Sequence, residues 1–492
     1  MHAPRHGPSV PTATAPTTAT ATAPTTGRRA SLRRWWPLAF IGAAQFMLVI
    51  DVTVVNVALP SIGASLSLDR AGLTWVAIAY TLFFGSLLLL GGRLADTFGR
   101  RRMFLAGLGL FTIASVSSGL APDGTVLIVA RAFQGIGAAL LSPAALSIVT
   151  SMFQGPDRNR ALSVWAALGG SGAAFGVVLG GILSTGPGWQ WIFFVNVPVG
   201  IMVALGVSRF VPAFSAERAR GGIDLPGVAL IAPAIGLVLY ALIGAGDAGW
   251  ISFATLAPIG LALVLFIAFA LRERTATDPL IRLPMLAERT YSGGLIVLVS
   301  ASALLAGTFF ITSLYVQRVV GLNPLETGLV FVPVALALIV GAQLGSWLIG
   351  HAGGRMVATA ALVIVGLGLL LLSRVPGQGN ALVDVLPGFI LAGFGLGATL
   401  VTAMTTAFSR VEPRDSGLAS GLINTGHEVG FALGVSILSS IGGASLAGGG
   451  QGVGGFQAAY LVGVVIVVAA LGAAVSFLPA DRPRLADRVF AH

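Results

Sequence analysis

Apolar stretches of about 20 residues recur along the chain from Leu38 to Leu478 and are separated by short polar segments. A helix of about 20 residues crosses the roughly 30 Å hydrocarbon core of a bilayer. Only 9% of the 492 residues are charged, whereas soluble domains average about 25%. These features exclude a soluble globular protein and predict an all-α polytopic membrane protein.

The apolar stretches predict fourteen transmembrane helices, arranged along the chain as six, two and six. The first six are expected near residues 38–59, 73–91, 103–121, 124–150, 161–184 and 190–210. Two central helices are expected near 225–244 and 250–271. The last six are expected near 292–316, 326–350, 356–373, 384–408, 417–441 and 456–478.

The same pattern divides the chain into five segments. Residues 1–36 are expected to form a disordered cytoplasmic tail that ends in a basic anchor, because residues 8–26 hold almost no large apolar side chain. The other segments are predicted to be an N-terminal six-helix bundle, two inserted helices with a cytoplasmic loop, a C-terminal six-helix bundle and a second cytoplasmic tail. Their bounds are 37–215, 216–291, 292–479 and 480–492.

A weak internal repeat supports the division into two six-helix bundles. The loops after the second and tenth predicted helices align at an offset of 255 residues, which pairs Gly99 with Gly354 and Arg100 with Arg355. Transporters built from two related bundles bind their substrates at the interface between the bundles. We therefore expect a site at this interface.

The formal net charge of +10 would suit a nucleic-acid-binding protein, because basic domains attract phosphates. If both termini are cytoplasmic, however, 24 of the 28 basic residues lie in cytoplasmic segments and only three lie in outside loops. This asymmetry is the positive-inside pattern of membrane proteins. All 28 are arginines, as GC-rich bacterial coding favours. The pattern predicts a multi-pass protein of a bacterial inner membrane with both termini in the cytoplasm, and it excludes nucleic acid as a partner.

Three charged residues fall inside predicted spans, where charges are costly and usually functional. Asp51 and Arg131 lie at a similar depth from the outer ends of their helices, roughly 10 to 12 Å at 1.5 Å per residue. An ion pair between them could couple protonation to transport, or it could be static and fix helix packing. Glu428, near the middle of its span, could carry a proton, oppose a cationic substrate or serve as a neutral structural residue.

Neutral polar side chains also recur on single helical faces. They are predicted to line a substrate cavity and are Gln45 and Asn56 in the first span, Gln134 and Ser142 in the fourth, and Asn424 one turn before Glu428. Their alternative role is to form polar contacts between helices.

The loop between the second and third predicted helices is rich in glycine and charge. We interpret Asp96, with Gly92, Gly99, Arg100 and Arg101, as a conformational latch on the cytoplasmic side, and a plain positive-inside loop is the alternative.

Four glycines in the fifth span form a ridge of small residues that would permit close helix contact, either for rocking or for tight packing. They are Gly172, Gly176, Gly180 and Gly181.

Together these segments resemble the major facilitator superfamily, and within it the fourteen-helix drug:proton antiporters. Gly92 to Arg102 resembles the signature loop between helices 2 and 3, and Asp51 to Pro60 resembles a signature of helix 1. Arg131 to Gly137 is similar to the helix 4 motif, whose arginine is associated with proton coupling. Two positions depart from the family pattern: Val177 stands where a proline is usual, and Glu428 stands where glutamine is common.

The resemblance implies a major-facilitator fold of two six-helix bundles plus two extra central helices. It implies proton-coupled export of hydrophobic or cationic drugs and antibiotics by alternating access. The alternative is a dedicated exporter of one endogenous secondary metabolite.

A membrane enzyme or receptor would need a nucleophile–base pair or metal ligands within the spans, and the sequence offers neither. The chain has no lysine for a Walker motif. We expect no cofactor, a proton gradient as driving force, and a monomer whose partners are a small-molecule substrate, protons and the lipid bilayer.

Overall fold

The structure is a computed structural model and describes residues 35–68, 70–186, 188–212, 224–276, 286–409, 411–412, 415–447 and 453–479. Within these ranges the chain is helical and contains no strand. The first bundle comprises α1 (Trp36–Leu66), α2 (Arg70–Phe98), α3 (Arg100–Gly119), α4 (Gly124–Met152), α5 (Gly155–Thr185) and α6 (Asn196–Phe210). A short helical segment, Trp191–Phe194, precedes α6.

Two inserted helices follow, α7 (Leu225–Ala248) and α8 (Phe253–Glu273). The second bundle comprises α9 (Arg289–Arg318), α10 (Pro324–Ala352), α11 (Gly354–Leu372), α12 (Leu386–Phe408), α13 (Ser416–Ala447) and α14 (Gly454–Phe477). A short π-helical segment, Ala381–Val385, leads into α12.

Twelve helical segments among the described residues are long and apolar enough to cross a membrane. The two other long helices, α5 and α13, have 31 and 32 residues and lie where the fifth and thirteenth spans were predicted. The all-α polytopic class is therefore confirmed, while the count of fourteen spans and the domain boundaries stay predictions.

Local sequence signals explain where several helices begin and end. Asp123 caps α4 by accepting a hydrogen bond from the Val126 backbone N–H at 2.9 Å. Asn323 and Glu326 form a reciprocal capping box at the start of α10. Such caps satisfy backbone donors that the first turn of a helix leaves unpaired.

The internal repeat is visible as a pair of similar turns. Gly99, between α2 and α3, has φ 98°, and Gly353, between α10 and α11, has φ 85°. Glycine adopts such positive φ values without steric strain. The glycines at these turns are thus Gly99 and Gly353. The sequence alignment instead paired Gly99 with Gly354, one residue further along the chain. In both bundles the helices flanking this turn pack on the following helix, α4 or α12.

The bundles meet mainly through α5 against α10 and through α2 against α13. The inserted helix α7 packs against both α2 and α13 and so touches both bundles, while α8 packs on α7. Arg272 of α8 bonds to Asp224, which precedes α7, at 3.0 Å. An ion pair therefore connects the two inserted helices to each other, and α7 connects them to both bundles.

Candidate functional site

Asp51 of α1 and Arg131 of α4 form a salt bridge inside the first bundle. Their exposed fractions are only 2% and 1%. A buried charge is tolerated when it is both paired and hydrogen-bonded. The structure therefore brings together the two charged residues that the sequence placed at equal depth.

Three neutral polar groups complete what we call the ion-pair cluster, formed by Asp51, Arg131, Gln134, Asn196 and Ser115. Asn196 Nδ2 donates to Asp51 Oδ1 at 2.8 Å, and Gln134 Nε2 donates to the same oxygen at 3.3 Å. Gln134 Nε2 also donates to Ser115 Oγ at 2.8 Å, while Gln134 Oε1 accepts from Arg131 at 3.0 Å. Four helices, α1, α3, α4 and α6, thus contribute side chains to one polar cluster.

Two aromatic rings lie against the arginine of this cluster. The Arg131 guanidinium lies 4.6 Å from the ring centroid of Tyr80 and 5.9 Å from that of Phe193. Both distances suit a cation–π contact, which is stronger when the cation is desolvated. The Tyr80 hydroxyl is buried and has no hydrogen-bond partner among the described residues.

The predicted cavity residues of α1 and α4 lie in helix contacts in this conformation. Gln134 and Ser142 have no exposed surface. Gln134 belongs to the ion-pair cluster, and Ser142 donates to Gln45 Oε1 at 3.0 Å. These contacts match the alternative role, polar contact between helices. Asn56 and Gly181 lie outside the residues whose surroundings the structure describes.

Asp96 joins the two bundles. Its carboxylate accepts the backbone N–H groups of Gly417 and Leu418, each at 3.0 Å, at the start of α13. Arg100 lies 3.8 Å from the same carboxylate. A negative charge at a helix N-terminus satisfies unpaired N–H groups and the helix dipole. The predicted latch residue therefore connects helix α2 to the second bundle.

The residues close to Asp96 contact helices of both bundles. Gly92 allows the backbones to meet, because a methyl group there would lie 3.0 Å from the Gly417 carbonyl carbon. Arg100 bonds to Ser151 of α4, and Arg101 bonds to the Ser208 carbonyl oxygen at 2.7 Å.

Three further contacts join the two bundles at the end of the molecule where Asp96 lies. We call this end the latch end. They are Ser147 with Ser416 at 2.9 Å, Arg158 with the Phe408 carbonyl oxygen at 2.7 Å, and Ser163 with Gln343 at 3.1 Å.

The glycine ridge of α5 packs closely on α1. Gly172, Gly176 and Gly180 face Val49, Thr53 and Val57, respectively. A methyl group at Gly180 would lie 3.1 Å from Val57 Cβ. The close contact expected of this ridge is present, and it connects two helices of the same bundle.

Glu428 lies on α13 where this helix passes α2. A methyl group at Gly85 of α2 would lie 3.7 Å from Glu428 Cβ. The Glu428 side chain is half-buried, and among the described residues it forms no salt bridge. The neighbouring His427 points elsewhere and contacts Ser302 of α9 at 2.7 Å.

The sequence did not single out Asn196, Ser115 or Tyr80. Asn196 lies inside the sixth predicted apolar span, and that position was its available signal. Ser115 and Tyr80 carried no distinctive signal, since single hydroxyl groups are common in membrane helices and bond to their own backbone. Ser115 Oγ indeed also donates to the Phe111 carbonyl oxygen at 2.9 Å.

Apolar helices in two repeated bundles, with a buried ion pair inside and polar contacts across the interface, are typical of membrane transporters. The model of the Major Facilitator Superfamily matches residues 41–227 and 225–435. The chain belongs to this superfamily.

Bacterial relatives are similar over most of their length. The puromycin resistance protein pur8 of Streptomyces alboniger is 39% identical over 83% of this chain and 82% of that protein. The cephamycin export protein CmcT of Amycolatopsis lactamdurans is 36% identical over 89% of this chain and 91% of that protein.

A solved structure shares the fold. The crystal structure of the human organic anion transporter MFSD10 superposes with a TM-score of 0.60 and covers 92% of this chain and 100% of that chain. At 14% sequence identity, this likeness shows the fold alone.

Proposed function

We propose that the protein exports hydrophobic or cationic compounds, antibiotics among them, from a bacterial cytoplasm in exchange for protons. The export direction is supported by relatives that are named for antibiotic resistance and antibiotic export. The observation that carries the proton coupling is the ion-pair cluster, in which a buried carboxylate of α1 is held by residues of α4 and α6.

Protonation of Asp51 would change the forces that hold these helices together. The neutral acid no longer attracts Arg131, whose buried charge then lacks its counter-charge. A buried charge without its partner is strongly destabilising. The cluster must therefore rearrange when the proton arrives, and α1, α3, α4 and α6 rearrange with it.

Alternating access follows if this rearrangement is linked to the interface between the bundles. In the structure the latch end is closed by the Asp96 contacts to α13 and by Ser147 with Ser416. We assign this closed end to the cytoplasmic side, in accordance with the arginine distribution. Opening it requires these contacts to break, and a bound proton or substrate can drive opening only by binding the two states with different affinity.

The test uses purified protein in liposomes with an imposed pH gradient and puromycin as the transported compound. Asp51→Asn should abolish gradient-driven transport, because an amide retains the volume of the side chain but cannot release and bind a proton. Asp123→Asn is the matched control, since asparagine caps a helix as well as aspartate. Transport by Asp51→Asn at the rate of the control would refute a coupling role for this carboxylate.

A second candidate is a dedicated exporter of one secondary metabolite. It is favoured by the two relatives described above, each of which is named for a single antibiotic. Competition assays separate the candidates. A dedicated exporter is inhibited by one compound and its close analogues, whereas a multidrug exporter is inhibited by unrelated hydrophobic cations.

A further inference from the structure

Three buried polar side chains lie on α2 and α13, the two helices that meet beside Glu428. Tyr80 Oη, Asn424 Nδ2 and Thr425 Oγ1 are buried and have no hydrogen-bond partner among the described residues. Glu428 lies beside them without a salt bridge in the same part of the structure. Unpaired buried polar groups are rare in folded proteins, and an absent ligand is one physical reason for them.

The spacing along α13 directs two of these groups towards α2. Gly417 and Gly421 contact α2 at Gly92 and Leu88, and Glu428 approaches α2 at Gly85. Positions three, four and seven residues apart share one face of a helix. Asn424 lies on that face, between Gly421 and Glu428. Its amide and the Glu428 carboxylate therefore point into the same inter-bundle space.

Tyr80 connects this space to the ion-pair cluster. Its ring lies under the Arg131 guanidinium at 4.6 Å. Tyr80 lies on α2, the helix that Glu428 approaches at Gly85. Tyr80 is completely buried, so the charge of Arg131 acts on it with little screening by water.

The inserted helix α7 supplies a wall of this space. A methyl group at Gly85 would clash with Leu239 Cδ1 of α7 and would lie 3.7 Å from Glu428 Cβ. Leu239 has no exposed surface. An apolar wall beside a carboxylate keeps out water and lipid, which strengthens attraction between that carboxylate and a bound cation.

We propose that Glu428, Asn424 and Tyr80 bind a protonated amine that carries a neighbouring oxygen acceptor, with Leu239 as the apolar wall. Glu428 pairs with the ammonium group, the Asn424 amide donates to the oxygen, and the Tyr80 hydroxyl completes the polar shell. The inserted helix α7 thus takes part in substrate binding. This inference rests on the proposed export function and assigns its substrate class.

Binding to the full-length protein in lipid nanodiscs tests the site without any proton gradient. The probes are puromycin, a protonated amine, and N-acetylpuromycin, the same scaffold with that charge removed. The wild-type protein should bind puromycin about tenfold more tightly, since a charge-assisted hydrogen bond is worth that much. Glu428→Gln should abolish this preference, and Glu326→Gln, the same change at an exposed carboxylate, should preserve it.

Two further variants separate a binding role from a folding role. Glu428→Asp keeps the charge and should keep part of the preference for puromycin. Asn424→Ala should weaken both probes several-fold, because both carry the oxygen acceptors. Equal affinity of the wild-type protein for the two probes, or an unchanged preference in Glu428→Gln, would overturn the site.

The two proposals fail in different ways. If gradient-driven transport is absent and the puromycin preference remains, the exporter mechanism is wrong and the amine site stands. If transport is intact and the preference is absent, the amine site is wrong and the exporter mechanism stands.

Discussion

Asp51 shows how a membrane interior tolerates a charge. Its carboxylate has a guanidinium on one oxygen and two amide donors on the other, supplied by Arg131, Asn196 and Gln134. Hydrogen bonds to charged groups contribute about 1.5–3 kcal/mol each. The neutral amides therefore stabilise the buried carboxylate, as the arginine does.

Asn196→Ala should lower the free energy of unfolding by about 1.5–3 kcal/mol, because a buried carboxylate loses a donor. It should also slow gradient-driven puromycin transport, because Asn196 connects α6 to the Asp51 carboxylate. Thermal unfolding and gradient-driven puromycin transport measure the two effects. Ser117→Ala is the control, since its hydroxyl bonds to the Ile113 carbonyl oxygen on its own helix. A wild-type transport rate in Asn196→Ala would exclude this role.

Sequence reasoning found the charged residues of the cluster but not all of its neutral members. Asp51 and Arg131 were recognisable because charges within an apolar stretch have few structural explanations. Asn196 and Tyr80 were not selected, since their significance depends on neighbours that are remote in sequence. Asn196 lies 145 positions from Asp51, and hydropathy carries no information about which helices become neighbours.

At the scale of helices, the approximate position of each helix was predictable from the sequence. Which helices pack against each other was not predictable. An apolar stretch determines a helix because the bilayer demands internal hydrogen bonds. The glycine ridge of α5 predicted a close contact, but only the structure shows that Val49, Thr53 and Val57 of α1 fill it. The contact of α7 with both bundles was likewise not predictable, because its apolar surface is nearly uniform around the helix.

Gly176→Ala should destabilise the protein and slow transport, since its methyl group would lie 2.5 Å from Thr53 Cβ. Gly260→Ala in α8 is the control, because beyond its own helical turn no described residue has an atom within 4 Å of a methyl group there. Alanine is the better helix former by about 1 kcal/mol, so the control should be neutral or slightly stabilised. Thermal unfolding and transport of the two variants check this. A stabilised, fully active Gly176→Ala would show that α1 can withdraw freely from α5.

At the scale of the whole molecule, the two bundles are held together at the latch end by short polar contacts. The Asp96 carboxylate, the Ser147 hydroxyl and the Arg158 guanidinium all reach partners in the second bundle. Polar contacts suit an interface that must open and close, because water can replace each hydrogen bond when the bundles separate. An alternating-access cycle therefore requires α4 and α13 to part at this end.

A reversible cross-link between α4 and α13 should stop transport. The chain has no cysteine of its own, and the hydroxyls of Ser147 and Ser416 lie 2.9 Å apart, which brings their Cβ atoms near disulfide range. Oxidising Ser147→Cys/Ser416→Cys should abolish puromycin transport, and a reductant should restore it. Ser147→Cys and Ser416→Cys as single variants, treated with the same oxidant, are the controls, because neither can close a bond across the interface. Full transport by the cross-linked Ser147→Cys/Ser416→Cys protein would mean that the latch end stays closed throughout the cycle.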